Sequence, residues 1–329
     1  MADYVVGVDL GGTNVRAAVV DRHEKILGQA RNPSAAKEGQ RRVVEQIALT
    51  VRQAANDSGI EVDQLGAVGM AVPGHIDQRT GVTKWSPNFG EVIDDHFQMF
   101  LDVPIAGPVS ELLGIPAFAG NDANVAALGE FRYGAGRDVN DMVMLTLGTG
   151  IGSGVVVDGR LILGATGGAV EFGHHVIVAG SPEQCPCGDF GHLEAYCGTP
   201  GIVRRAQRYI ESGRPTILPD LVDGDRAALT PKLIDDAARQ GDQLSIEIFQ
   251  ETGYYLGIGL SNAVCLFNPS LVVLGGGIRK ATGLLESAER SMRVHSVRSL
   301  LRDCRLVEAS LGEDAGVMGA AELAWRQLD

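Results

Sequence analysis

The chain has 329 residues, of which 44 are glycine and only 13 proline. Glycine is thus nearly twice as frequent as the roughly 7% of ordinary proteins, but with no Gly-X-Y period, so collagen-like and low-complexity readings are excluded. Lys and Arg number 28 against 41 Asp and Glu, and the net charge of −13 disfavours a nucleic-acid partner.

Apolar residues make up 45%, enough for a sizeable core, and the length favours two domains. No Lys/Arg run exceeds the pairs Arg41-Arg42 and Arg204-Arg205. No apolar stretch approaches the ~18 residues of a membrane span, so no membrane partner is expected. Met1-Ala2-Asp3 carries no basic segment leading into an apolar one, so no signal peptide is expected. The five cysteines are odd in number and three lie within Cys185–Cys197. That is a local metal or redox site rather than a disulfide framework, and it points to a cytoplasmic chain.

In chain order, Tyr4 to Asp9 is an apolar strand, Leu10 to Asn14 a glycine turn, and Arg16 to Val20 a second strand. Lys25 to Ala30 reads as a third. Strand, glycine turn, strand is a β-hairpin rather than a P-loop. Glu38 to Asn56 has helical spacing at Val43, Val44, Ile47 and Val51. Leu65 to Val72 is a buried strand that breaks at Pro73-Gly74, and Ile115 to Ala119 a short one. Asn121 to Asn124 opens a helix to about Tyr133. Met142 to Leu147 is a strand, followed by a glycine turn at 148–154 and the strand Val155 to Val157. This repeats the pattern of the chain start and predicts an internal duplication, one hairpin per domain. Residues 171–198 form a Cys/His-rich loop. Helices are predicted from Thr199, at 231–240 and 243–266. Leu271 to Leu274 is a strand, 283–299 a helix, 305–309 a strand and 314–327 a final helix. The domain divide is expected near Gly120.

Five segments carry chemistry. In Asp9-Leu10-Gly11-Gly12-Thr13-Asn14, a carboxylate at a strand end suits Mg²⁺, usually through water. The glycines there expose N–H groups to an anion, although Gly-Gly is also an ordinary hairpin turn. The turn Gly148-Thr149-Gly150-Ile151-Gly152-Ser153-Gly154 has small residues that leave room for a phosphate. It does not match G-x-G-x-x-G, because Ser153 holds the third glycine position. Gly275-Gly276-Gly277 after an apolar strand admits a flat ring or ribose, and equally a tight turn. Asn121-Asp122 follows a strand; the acid is placed to take a proton from a hydroxyl, while a bare dipeptide reads as a helix N-cap.

The most specific segment runs from Glu171-Phe172-Gly173-His174 through Cys185-Pro186-Cys187-Gly188 to His192 and Glu194. His174, Cys185, Cys187 and His192 offer two imidazoles and two thiols within 19 residues, a donor set suited to tetrahedral zinc. Cys197 and His175 are spare candidates. Glu171 and Glu194 flank the cluster and suit a polyhydroxylated ligand.

Together these motifs, in this order, resemble the ROK family of sugar kinases and repressors, most of all its bacterial glucokinases, over nearly the whole chain. The resemblance implies an α/β, actin-like ATPase (ribonuclease H-like) fold, with two α/β domains around a central cleft. Residues 1–119, joined by the C-terminal helix 311–329, would form the first domain, and 120–310 the larger second. It implies a hexose 6-phosphotransferase using ATP with Mg²⁺ and carrying a structural Zn²⁺. Glucose is the favoured substrate; N-acetylmannosamine, N-acetylglucosamine, fructose and allose are the alternatives, and polyphosphate an alternative donor. Carried over by position, Asp122 is the catalytic base. Asn88, Asn121, Asp122, Glu171, His174 and Glu194 contact sugar. Asp9, Gly11, Gly12, Thr13, Asn14, Thr149, Gly150, Gly152, Gly275, Gly276 and Gly277 serve the nucleotide and its phosphates. A homodimer or homotetramer is implied. The family also holds non-catalytic sugar-sensing repressors with an added N-terminal DNA-binding segment, for which a first strand at Tyr4 leaves no room. Three departures stand out. His192 replaces the usual third zinc cysteine, the stretch from His174 to Cys185 is one residue longer than usual, and Val170 stands where a small residue is common.

Overall fold

The computed structural model describes residues 2–328. The chain forms two compact units. The first comprises Met1–Val139, Gly154–Val170 and Ala309–Asp329; the second comprises Asn140–Ser153 and Glu171–Glu308.

In the first unit, β1 (Tyr4–Leu10), β2 (Asn14–Asp21) and β3 (Ile26–Pro33) lead into α1 (Gly39–Ser58) and β4 (Leu65–Val72). A ribbon follows, of β5 (His75–Asp77), β6 (Val82–Ile93) and β7 (His96–Pro104). Then come α2 (Ala106–Leu113), β8 (Ala117–Asn121) and α3 (Asp122–Tyr133). The main sheet runs β3-β2-β1-β4-β8, with β1 antiparallel to β2 and parallel to β4. Helix α1 lays Val43, Ile47, Val51 and Ala54, all fully buried, against it, as their three-and-four spacing dictates. Gly59 ends that helix at φ 71°.

The chain then makes β9 (Met142–Leu147), β10 (Ile151–Val157), β11 (Arg160–Leu161), α4 (Leu193–Cys197), α5 (Thr199–Glu211), α6 (Leu218–Leu221), α7 (Pro231–Arg239) and α8 (Gln243–Phe267). It continues through β12 (Leu271–Gly275), α9 (Leu284–His295), α10 (Arg298–Leu301), β13 (Arg305–Glu308) and α11 (Ala315–Leu328). The predicted helix 283–299 is therefore interrupted at Ser296. The second sheet runs β11-β10-β9-β12-β13. Numbered by its own strands, each sheet has the order 3-2-1-4-5, so the duplication read from the two glycine hairpins extends to the whole sheet.

Helix α11 belongs to the first unit and lies backbone against backbone on its neighbours. A Cβ at Gly7 would sit 1.9 Å from the Val317 carbonyl oxygen, and one at Gly69 1.8 Å from that of Ala320. One at Gly319 would sit 1.8 Å from that of Val125, on α3. This contact keeps α3 with the first unit, so the divide falls past Val139 rather than near Gly120.

The ribbon β5–β7 and α2 had no counterpart in the sequence reading. On β6 and β7, Phe89 and Phe100 are buried, while Trp85, Val92, Phe97, Met99 and Leu101 are exposed and share one face, with Trp85 opposite Leu101 and Val92 opposite Phe97. The β6/β7 register shifts between Ser86 and Gly90, and Pro87, Asn88 and Phe89 loop out of the ladder. Among the described residues no helix is long and apolar enough to cross a membrane.

Candidate active site

In the first unit, three motifs share the carboxyl edge of the parallel strands. Asp9 near the end of β1 pairs in register with Ala71, and Val72 with Asn121. The Asp9 turn, Pro73-Gly74 and Asn121-Asp122 therefore lie side by side, the edge at which open α/β sheets bind ligands. Burial pushes the Asp9 carboxyl above its ordinary value, and the charge of Arg16, its cross-strand partner, opposes this. A Cβ at Gly316, in the first turn of α11, would lie 2.6 Å from the Asp9 carboxylate. Only glycine admits the acid at this positive helix end. In the turn itself, the Gly11 N–H donates to the Asn14 carbonyl at 2.8 Å, while Gly12 and Thr13 are exposed and a Cβ on Gly12 would meet nothing.

Asn121 is the residue that caps α3: its Oδ1 accepts the Asn124 N–H at 3.0 Å. Its Nδ2 donates to the Gly74 carbonyl at 3.0 Å and to Asp122 Oδ1 at 3.1 Å. Asp122, the first helical residue, also accepts the Ala123 N–H at 2.8 Å. Asn121 thus aims its neighbour's carboxylate as well as starting the helix. Gly74 also faces the ribbon, since a Cβ there would lie 2.2 Å from the Trp85 carbonyl oxygen. This sets the looped-out segment of Asn88, itself exposed, beside the same edge.

In the second unit, β12 runs parallel to β9 with Gly275 opposite Thr146. The triplet 275–277 thus adjoins the turn after Leu147. Gly276 has φ 82°, and a Cβ there would meet the Leu147 backbone at 2.1 Å; Gly277 faces open space. Thr149 at the tip of the turn is exposed. Gly148 is tied down through its carbonyl, which accepts both the N–H and the hydroxyl of Thr199.

The four candidate metal ligands converge: one donor atom from each of His174, Cys185, Cys187 and His192 lies within 4.8 Å of all the others. Cys185 Sγ is 3.6 Å from His174 Nδ1, and Cys187 Sγ is 3.3 Å from His192 Nδ1. With ordinary Zn–S and Zn–N bonds, a tetrahedral S···N edge is about 3.6 Å, so the residues fit the ion. A tight knuckle makes this possible: the Gly188 N–H donates to the Cys185 carbonyl, with Gly188 at φ 103°. His192 sits at the start of α4. Burial pushes the Cys185 thiol up to about 12. The two spare candidates lie elsewhere. Cys197 is buried and its thiol donates to the Thr252 carbonyl; His175 stacks on Phe172 at 4.2 Å and bonds the Phe172 carbonyl through Nδ1.

Glu194 joins the cluster to the glycine turn. Its Oε2 accepts the Ile151 N–H at 2.8 Å, its Oε1 accepts from the Cys185 thiol at 3.4 Å, and a Cβ on Gly150 would press on it at 2.4 Å. Glu171 is exposed just before the short 3-10 turn Phe172–His174, whose first N–H donates to Ser153 Oγ at 3.1 Å. Arg16 and Gly316 escaped the sequence reading, and Ser153 entered it only as a break in a glycine pattern. Only Arg16 had a signal, because a hairpin closing at residues 11–13 places it opposite Asp9.

Residues 5–327 match the ROK family. The chain is 33% identical over 323 residues to a glucokinase of Thermotoga maritima, covering 97% of this chain and 96% of that one. It is 33% identical to a ROK family glucokinase from Streptomyces griseus whose crystal structure holds glucose and AMPPNP. The TM-score is 0.78, with 98% of this chain and 99% of that one covered. It is also 27% identical to an N-acetylglucosamine repressor of Escherichia coli, over 99% of this chain and 76% of that one. The fold is the actin-like ATPase fold, as the sequence reading expected.

Proposed function

The chain belongs to the ROK family, and from that premise we propose that it is a sugar kinase, passing the γ-phosphoryl group of ATP to the primary hydroxyl of a hexose, glucose first. The observation that carries this reading is the near-full-length likeness to glucokinases, joined by the placing of Asp122 at the carboxyl edge of its sheet.

In this reading Asp122 Oδ accepts the proton of the sugar's 6-hydroxyl as its oxygen attacks phosphorus. Asn121 holds that carboxylate through the 3.1 Å hydrogen bond. Asn88, Glu171, His174 and Glu194 are the proposed sugar contacts. The His174 Nδ1 faces Cys185, which leaves Nε2 for a hydroxyl. The N–H groups of 11–14 and 148–152 take the phosphates, and Gly275–Gly277 the adenosine. Asp9 is the group that would hold Mg²⁺ through water, an ion that neutralises charge on the transferred phosphate. His174, Cys185, Cys187 and His192 would hold a structural Zn²⁺, which ties the loop around the sugar contacts.

A coupled ADP-release assay across glucose, fructose, allose, N-acetylglucosamine and N-acetylmannosamine tests the reading, with glucose expected to give the highest kcat/KM. Asp122→Asn is expected to bind sugar normally and lose about 10²–10⁴-fold in kcat. Near-normal turnover in that variant would sink the assignment of the base. The likeness to a repressor favours one second reading, a sugar-binding protein without turnover. Hexose binding by calorimetry with no ADP release from any sugar would establish that one instead.

A further inference from the structure

Three glycines in a row, as at 275–277, are backbone that costs more than any other to hold in one conformation. One side chain ties them down. Arg279, in the 3-10 turn Gly277–Lys280, reaches back, and its Nη1 donates to the Gly276 carbonyl at 2.7 Å. Its Nε is buried and lies 3.5 Å from Glu308 Oε2, an ion pair to the end of β13. Glu308 is the register partner of Leu274 on β12, so the guanidinium links the glycine turn to the neighbouring strand. The far end of the turn is held from α7. Asp235 accepts both the N–H and the hydroxyl of Thr282 at 2.8 Å. Arg239, bonded to Asp235 at 2.7 Å, donates to the Lys280 carbonyl at 3.2 Å. Between these anchors Gly277 is exposed, with open space where a Cβ would stand. Every one of these groups belongs to the second unit.

We propose that Arg279 is a positioning residue for the nucleotide: it takes no part in the transfer, and holds the glycine backbone as a ready platform for the adenosine. The proposal rests on the sugar-kinase reading, which gives Gly275–Gly277 to that part of ATP. A hydrogen bond from a guanidinium is about twice as strong as a neutral one. With the Gly276 carbonyl held by it, the planar peptide that follows has one orientation, and the Gly277 N–H is fixed in the opposite direction. The ordering of the glycines is thus complete before the nucleotide arrives, instead of being subtracted from its affinity.

The test compares wild type, Arg279→Met and Arg279→Lys, each measured for Tm, zinc content, ATP KM, kcat, and the Kd of ADP and of glucose by calorimetry. The Glu308 side chain is 38% exposed, so in Arg279→Met it loses a partner without being stranded in the core, and Tm is expected to fall by only ~2–4 °C. Loss of preorganisation is expected to raise the ADP Kd and ATP KM of that variant by about 3- to 10-fold. Its kcat at saturating ATP, its glucose Kd and its zinc content should stay at the wild-type level. Lysine keeps the charge but is a point donor that cannot span both partners, so Arg279→Lys is expected to lie between the two. A wild-type ADP Kd in Arg279→Met, whatever its Tm, overturns the positioning role. A glucose Kd that rises as much as the ADP Kd also overturns it, because the loss is then a general loosening. If the wild type binds ADP and hexose without turnover, the kinase reading fails and the ADP Kd still decides the role of Arg279. If the wild type binds no ADP, both fall.

Discussion

Asp9 is held in its place against its own ionisation. Burial raises its pKa, with Arg16 acting the other way. Its folded value therefore exceeds its unfolded value, and the folded chain holds the proton more tightly. The stability this group contributes is fully present below the ordinary carboxylate pKa, and is lost as pH rises through the folded value. Above the folded value the ionised acid is a net burden on stability. Asp9→Asn is expected to melt at a higher temperature than wild type at pH 7, with a gap that closes on acidification toward pH 4, while phosphoryl transfer falls. Thermal melts of both proteins from pH 4 to 8 check this; a variant less stable than wild type at pH 7 contradicts the sign. Asp9, Asn121 and Asp122 were all legible in the sequence, because each stands at a strand end beside glycine or a helix start. The Gly316 that makes room for Asp9 was not, since nothing local marks a partner about 300 residues away.

Helix α11 shows how the glycine excess serves packing as well as loops. Gly7, Gly69 and Gly319 each admit a carbonyl where a Cβ would be under 2 Å away. Gly319→Ala must push α11 off α3, and is expected to destabilise by about 1–3 kcal/mol through overpacking, read in denaturant melts. A neutral result would mean that the two helices separate freely. The Cys/His loop is a different kind of element, largely exposed between Val176 and Phe190 and held by backbone hydrogen bonds such as Ile177 N–H to the Gly191 carbonyl. His192→Ala is expected to release the metal and to lower Tm, because metal affinity is part of folding free energy. Elemental analysis showing no zinc in the purified wild type would defeat that assignment. Most elements were readable from period and punctuation. The ribbon β5–β7 was missed although Phe97, Met99 and Leu101 alternate along β7; that this apolar row faces solvent rather than the core is not a property of the pattern.

At the scale of the molecule, the repeated hairpin with its glycine turn already declared a duplicated α/β architecture. The order of motifs declared the family, and the donor types between His174 and His192 declared a metal-competent loop. Each motif is local in the chain, and the duplication and the family follow from the repetition and order of such local motifs. Tertiary structure decided the rest. It set α3 into the first unit, looped Asn88 out of β6 beside Gly74, and joined Glu194 to both the glycine turn and Cys185. The contacts that decide them, such as α11 on α3 and Glu194 on Ile151, are made in the folded chain, where close packing rather than local propensity selects the backbone.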